Sequence, residues 1–154
     1  MNLKEQNYLT KLLEKYSQRR LSKKMRYPLS PDSLSNKDII EGIKVLLSKR
    51  ITMGKITKKF EAEFAKFIGS KYALMVNSGS SANLLSTFAL VNPMKKNRLK
   101  NGDECLIPSL CWSTSLWPII QAGLKPKFVD IDPKTLNISL KDLEKKITKK
   151  TKAI

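Results

Sequence analysis

The chain has 154 residues, and its 41% hydrophobic and 28% charged residues give it the composition of a soluble globular domain rather than of a disordered segment. No window contains the roughly 18 consecutive apolar residues that a membrane helix needs. The first residues also lack the apolar core of a signal peptide. The sequence therefore predicts a cytoplasmic protein without a membrane partner.

The charge is strongly positive, because 30 Lys and Arg stand against 13 Asp and Glu, for a net charge of +17. Such a charge favours polyanions, so a basic polyanion-binding module is an alternative function. Only five of the basic residues are Arg, whose planar side chain is the one suited to bidentate contacts with bases and phosphates. Since the charge is also scattered along the chain, we expect no nucleic-acid partner.

Cysteine and histidine are scarce: Cys105 and Cys111 are the only thiols, and there is no His. Zinc-ligand spacing is absent, and neither a Cys–His nor a Ser–His pair can form. Both cysteines are predicted to be reduced core residues rather than a disulfide. The sequence thus predicts no metal site and no nucleophile pair of these kinds, so any chemistry must come from a bound group.

The N-terminal part is predicted to be a helical arm. Apolar residues recur at near-helical spacing from Asn2 to about Lys24, which indicates an amphipathic helix outside the main core. Residues 26–35 contain two prolines and three serines, which is typical of a linker. We therefore expect an arm over residues 1–26 and the main domain over residues 27–154.

Two amphipathic helices are predicted next. Ser35 and Asp38 have the spacing of a capping box, which predicts a helix over residues 36–48. A second helix should begin near Thr57 and end at Gly69, where we expect a left-handed residue.

From residue 72 onwards, short apolar runs alternate with helical patterns, which predicts an α/β domain with a mostly parallel sheet and covering helices. We expect another strand to begin at Ala153, and therefore that the chain is the N-terminal part of a larger protein. The predicted strands are Tyr72–Val76, Cys105–Ile107 and Lys127–Ile131. Three helices are predicted between and after them: one that follows NSGSSAN and ends at about residue 91, one over Ser113–Ala122, and one that is capped by Ser139 and Asp142 and ends at about Ile147.

The sharpest candidate site is the turn NSGSSAN at residues 77–83, between a predicted strand and a predicted helix. Gly79 can adopt the positive φ that a tight turn requires, and the free N–H groups and hydroxyls of Ser80 and Ser81 can bind a phosphate. The turn matches neither the P-loop pattern nor the dinucleotide-binding pattern. On these residues alone, a serine-rich helix cap without a ligand is equally compatible.

A second candidate is residues 109–115, which follow the strand that ends before Pro108. Ligands of parallel sheets bind beyond the carboxyl ends of strands, so this segment is expected to open onto the same crevice as the turn. Trp112 offers a flat face to an aromatic ring. Considered singly, however, Trp112 and Trp117 are both more typical of a core.

Two weaker candidates remain. Asp130 and Asp132 follow the last predicted strand and resemble a metal or acid–base pair, but with Pro133 next, caps of a turn are the favoured interpretation. Gly54 lies in a loop between two helices, where a plain turn and a site for an anionic substrate are equally compatible.

Taken in order, these motifs resemble the DegT/StrS-type nucleotide-sugar aminotransferase family, a branch of the fold-type I pyridoxal-phosphate enzymes. The resemblance covers about Tyr27 to Ile154. It is carried by RITMGKITKKFEAEFAKFIGSKYALMVNSGSSANLL and KNGDECLIPSLCWSTSLWPIIQAGLKPKFVDIDPKTLNIS.

The resemblance implies the N-terminal part of a fold-type I large domain and either pyridoxal 5′-phosphate (PLP) or pyridoxamine 5′-phosphate (PMP) as cofactor. By resemblance, Gly79, Ser80 and Ser81 would hold the cofactor phosphate and Trp112 would stack on the pyridine ring. Gly54 would lie near a nucleotide-sugar substrate, in a full-length protein that forms a homodimer.

NSGSSANLL and the long arm look closest to the dehydrase branch, which removes the 3-hydroxyl of a 4-keto-6-deoxy-hexose on CDP for the O-antigen of lipopolysaccharide. The family's aspartate at the pyridine nitrogen, and its catalytic Lys (aminotransferases) or His (dehydrases), would lie beyond Ile154. We therefore expect no turnover by these residues alone; an inactive gene remnant is the remaining alternative.

Overall fold

The computed structural model describes residues 1–20 and 34–154, with the side chains of 1–16 and 34–154. Two compact units divide the chain, Met1–Met75 and Val76–Ile154. The expected domain boundary at residues 26 and 27, the predicted end of the arm helix and residues 26–33 of the predicted linker all lie outside the described residues. No helix of the described ranges is long and apolar enough to cross a membrane.

The first unit contains three helices among its described residues: α1 (Leu3–Arg20), α2 (Asn36–Leu47) and α3 (Lys55–Ile68). α1 contacts α2. The capping box is confirmed, because Asp38 N donates to Ser35 Oγ at 3.3 Å and Ser35 N donates to Asp38 Oδ2 at 2.9 Å. These bonds satisfy backbone groups that the first turn of α2 leaves without helical partners.

α3 begins at Lys55, two residues before the predicted start at Thr57, and Gly69 ends it with a φ of 72°. Ser70 N then donates to Ala65 O at 2.9 Å, which closes the helix with a left-handed cap. The predicted helix stop at Gly69 is confirmed.

The predicted strand at Tyr72–Val76 is wrong. Among the described residues no strand pairs with this segment, and a strand needs a neighbour for its N–H and C=O groups. The side chain of Leu74 is 71% exposed, and Met75 N instead donates to Glu61 Oε1 at 2.9 Å. Apolar composition alone therefore does not make this segment a strand.

The second unit is an α/β structure with a parallel sheet. The order of its strands is β2-β1-β3, and β1 pairs in parallel with both neighbours. The α/β prediction is confirmed, and the further strand that was expected to begin at Ala153 is present but begins two residues earlier, at Thr151. The elements are α4 (Gly79–Val91), β1 (Glu104–Pro108), α5 (Ser113–Gln121), β2 (Lys125–Val129), α6 (Leu140–Lys146) and β3 (Thr151–Ala153).

The central strand β1 forms the core of the second unit. Cys105 and Ile107 pack with Ile119 of α5 and with Leu124, whereas Leu106, only 1% exposed, alternates to the other face. Both cysteines are free thiols, and burial raises the pKa of the Cys105 thiol. Cys105 is a core residue as predicted, but Cys111 is exposed, because it lies in the loop beyond β1.

β2 ends at Val129, before the predicted end at Ile131, because the N–H of Asp130 donates to a side chain outside the sheet. Asp130 N donates to Asp142 Oδ2 at 2.7 Å, which ties the end of β2 to α6. Lys146 Nζ lies 2.7 Å from the same oxygen. The hydrogen bond from Asp130 N, followed by the contact with Lys146, lowers the pKa of the Asp142 carboxyl below its ordinary value of 3.8.

We predict that Asp142 makes the stability of the chain depend on pH. Because its carboxyl pKa is lower in the folded chain, its contribution is fully present above the ordinary value of 3.8 and is lost as the pH falls below that value. Asp142→Asn should therefore lower the free energy of unfolding near neutral pH. The difference from wild type should shrink as the pH falls through the ordinary and then the lowered pKa, measured by urea unfolding.

Glu144→Gln is the matched control, since Glu144 lies on the same helix and forms no hydrogen bond or ion pair with any described residue. The free energy of unfolding of this variant should stay close to that of wild type at every pH. A deficit of Asp142→Asn that is the same at every pH would contradict the prediction.

Candidate functional site

The carboxyl ends of β1 and β2 are joined by a hydrogen bond from Ser109 N to Val129 O at 2.8 Å. From this point the chain passes through residues 109–112 into α5, which begins at Ser113. Trp112 therefore lies beyond the carboxyl end of the central strand, where ligands of parallel sheets bind.

The first turn of α4 leaves two backbone donors available. Ser78 is the N-cap residue, and its Oγ accepts from Ser81 N at 3.1 Å while its carbonyl accepts from Ala82 N at 3.0 Å. In the described parts of the chain, the N–H groups of Gly79 and Ser80 have no acceptor. These donors lie at the positive end of the helix dipole.

Gly79 does not have the positive φ that the sequence suggested. The left-handed glycines among the described residues are at positions 69, 102 and 123, and Gly79 is instead the first residue of α4. A Cβ built on Gly79 would meet nothing within 4 Å, so there is open space beside the backbone. Ser80 is exposed, and Ser81 Oγ accepts from Ser78 Oγ at 3.2 Å.

Trp112 is the N-cap residue of α5, and its side chain is 75% exposed. A core position for it is therefore wrong, because a side chain before the first turn does not lie on the face that packs against the sheet. The same expectation is wrong for Trp117, which is 54% exposed. Trp117 precedes the buried Ile119 by two residues, about 200° around the helix, and so faces away from the sheet.

α4 and α5 contact each other, and one hydrogen bond connects their N-terminal ends. Asn83 Nδ2 donates to Thr114 O at 3.5 Å, a long bond between a side chain of α4 and the backbone of α5. The backbone donors of α4 and the side chain of Trp112 thus belong to two helix starts that are linked directly. The sequence reasoning gave Asn83 no role, although it lies in the NSGSSAN turn.

The carboxylates after β2 are caps, as predicted. Asp132 Oδ1 accepts from Lys134 N at 2.7 Å and from Thr135 N at 3.4 Å, and Asp130 Oδ1 accepts from Ile131 N at 2.8 Å. Over the ranges that the structure describes, no group of three or more His, Cys, Asp or Glu residues could hold a metal ion.

Gly54 belongs to the first compact unit, whereas the other candidate residues belong to the second. Gly54 is the N-cap residue of α3, and its extended backbone has a φ of −128°. Its carbonyl accepts from Lys58 N at 3.1 Å. Gly54 is half-buried and, lacking a side chain, gives α3 no side-chain cap.

The residues of the second unit suit a phosphorylated aromatic group. Two unpaired N–H groups, the Ser80 hydroxyl and the dipole of a 13-residue helix are donors of the kind that bind a phosphate. The exposed indole of Trp112 provides an apolar face for an aromatic ring. Nothing in this donor set selects a metal ion.

Comparison with known proteins agrees with this chemistry. The model of the DegT/DnrJ/EryC1/StrS aminotransferase family matches residues 33–154. The chain belongs to this family. The resemblance inferred from the motifs and the fold-type I α/β fold that it implied are both confirmed.

The relatives include sugar 3-dehydratases, a sugar aminotransferase and a lipopolysaccharide biosynthesis protein. The chain is 48% identical over 130 residues to the GDP-4-keto-6-deoxy-D-mannose 3-dehydratase of Escherichia coli O55:H7, covering 84% of the chain and 33% of that protein. It is 36% identical over 160 residues to the lipopolysaccharide biosynthesis protein RfbH of Salmonella typhimurium, covering 99% of the chain and 36% of RfbH.

A solved structure of the E. coli 3-dehydratase with bound hydrated PLP matches with a TM-score of 0.76 and 48% identity, covering 84% of the chain and 33% of that structure. The chain thus spans about a third of the length of the relatives that it matches. Among them, the similarity to the 3-dehydratase branch is confirmed, but the nucleotide named for the E. coli enzyme is GDP and not the CDP that the motifs suggested.

We predict that Ser78 stabilises the start of α4. Ser78→Ala removes the acceptor of Ser81 N, and the loss of such a cap should lower the free energy of unfolding by about 1 kcal/mol. Ser86→Ala is the matched control, because Ser86 lies inside α4 and makes no side-chain hydrogen bond with the described residues. It should change the free energy by less than about 0.5 kcal/mol. Equal effects of the two variants in urea unfolding would contradict the prediction.

Proposed function

We propose that this chain is the cofactor-phosphate-binding part of a PLP- or PMP-dependent enzyme that acts on a nucleotide sugar. The observation that carries the proposal is the pair of unpaired N–H groups at the start of α4, linked to the helix start that bears the exposed Trp112. Membership of the DegT/DnrJ/EryC1/StrS family supports it.

In this proposal the N–H groups of Gly79 and Ser80 and the hydroxyls of Ser80 and Ser81 hold the cofactor phosphate. Trp112 stacks on the pyridine ring, which orients the ring and shields one face from water. The cofactor, when bound, supplies the electron sink of the reaction. Gly54, at the start of α3, lies near the substrate, where the absence of a side chain gives the sugar nucleotide access to the backbone.

Of the two reaction classes, we favour 3-dehydration of a 4-keto-6-deoxy-hexose for lipopolysaccharide O-antigen over sugar amino transfer. The similarity to the E. coli 3-dehydratase supports dehydration, and the similarity to RfbH supports a role in lipopolysaccharide biosynthesis. The residue that separates the classes is a His or a Lys, and we place it outside the 154 residues, which contain no His at all. We further propose that the full-length enzyme is a cytoplasmic homodimer, and that these residues alone do not turn over substrate.

Binding of PMP to the 154-residue chain tests the proposal. PMP carries the phosphate but no aldehyde, so it cannot condense with the 25 lysines. Ser80→Asp introduces a carboxylate where the phosphate would bind, and should weaken PMP binding at least about tenfold in calorimetry through like-charge repulsion. The same carboxylate, in the first turn of α4, interacts favourably with the helix dipole, so the variant should remain as stable as wild type.

Ser86→Asp is the control, since it adds the same charge in the middle of α4, and its PMP affinity should stay within about twofold of wild type. Pyridoxamine without phosphate should bind much more weakly than PMP to the unaltered chain. Equal weakening by both variants, or equal affinity for PMP and pyridoxamine, would overturn the proposal.

A further inference from the structure

Pro118 leaves one backbone carbonyl of α5 without its helical partner. It lies inside the helix, and a proline has no N–H to donate to the carbonyl four residues earlier. That carbonyl belongs to Thr114, in the first turn of α5. Thr114 is half-buried and Pro118 is buried.

Asn83 supplies the missing donor from the neighbouring helix. Its Nδ2 lies 3.5 Å from Thr114 O, and this is the one side-chain hydrogen bond between α4 and α5 among the described residues. An amide of Asn carries the same N–H donor that a backbone amide would have offered. Asn83 is the fifth residue of α4, three residues after Ser80 and therefore on the same side of the helix.

We propose that Asn83 is a positioning residue of the cofactor site. Its side chain replaces the N–H that Pro118 lacks and thereby fixes the start of α5, with Trp112, relative to the start of α4. The proposal rests on the proposed function in one respect: the group that the two helix starts position is the phosphorylated cofactor. The link between Asn83 and Pro118 itself needs no cofactor.

This arrangement explains why a proline is tolerated inside a short helix. A helix-interior proline ordinarily removes a hydrogen bond and pushes the preceding carbonyl outward. Here the carbonyl of Thr114 accepts a hydrogen bond from Asn83 of α4 instead. In this proposal the bond from Asn83 adds to the packing of α4 against α5 and holds the start of α5, with Trp112, near the phosphate donors of α4.

A double-mutant cycle tests the proposal on the 154-residue chain. Its proteins are wild type, Asn83→Ala, Pro118→Ala and the double variant, each measured by urea unfolding and by calorimetric titration with PMP. Pro118→Ala restores an N–H that can bond to Thr114 O, so Asn83 should become dispensable in that background. With Pro118 present, Asn83→Ala should raise the equilibrium constant of unfolding about threefold to tenfold, because it removes a hydrogen bond. In the Pro118→Ala background the same substitution should change this constant by less than about twofold.

PMP affinity should follow the same pattern: Asn83→Ala should weaken binding by about threefold or more only when Pro118 is present. Thr87→Val is the control, because the Thr87 hydroxyl donates within α4, to Asn83 O at 2.9 Å, and its effect should be the same in both backgrounds. If Asn83→Ala does not fold, folding regained in the double variant supports the proposal.

Three results would overturn it. The first is an equal effect of Asn83→Ala on unfolding in both backgrounds, and the second is a double variant that, like the single one, does not fold. The third is coupling in unfolding with an unchanged PMP affinity, which would make Asn83 a structural residue only. If wild type does not bind PMP at all, the proposed function fails, while the unfolding cycle still decides whether Asn83 replaces the missing N–H.

Discussion

Parallel pairing of β1 with both of its neighbours is the constraint on which the second unit depends. Because β2 and β3 run in the same direction as β1, the connections must cross over through helices, and α5 and α6 supply them. The same pairing brings the carboxyl ends of β1 and β2 to one edge, where Ser109 N bonds to Val129 O. The candidate cofactor residue Trp112 is displayed at that edge, beyond the buried strand.

Much of the fold could be predicted from the sequence because it depends on local signals. The capping box of Ser35, the glycine stop at Gly69 and the alternation of apolar runs around β1 each depend on nearby residues. The turn NSGSSAN was singled out as a candidate from the same kind of local signal. The strand expected at Tyr72–Val76 is absent from the structure, since a strand depends on a partner that local composition does not reveal.

The remaining errors have tertiary causes. β2 ends before its predicted end because the N–H of Asp130 donates to Asp142, on a later helix. The tryptophans were assigned to the core on residue type, whereas their exposure is set by where α5 begins and which face it packs. Asn83 is different: the orphaned carbonyl of Thr114 could have been read from Pro118, but its partner on α4 could be identified only once the two helices were seen together.

The central claim is that the first turn of α4 binds the cofactor phosphate while Trp112 contacts its ring. Chemical-shift mapping of the ¹⁵N-labelled chain during a PMP titration tests this claim most directly. The account predicts that the largest changes occur at the backbone amides of Gly79, Ser80 and Ser81 and at the indole N–H of Trp112. Changes spread over the lysine-rich segments, with these four signals unmoved, would contradict it and would identify non-specific binding by the +17 charge.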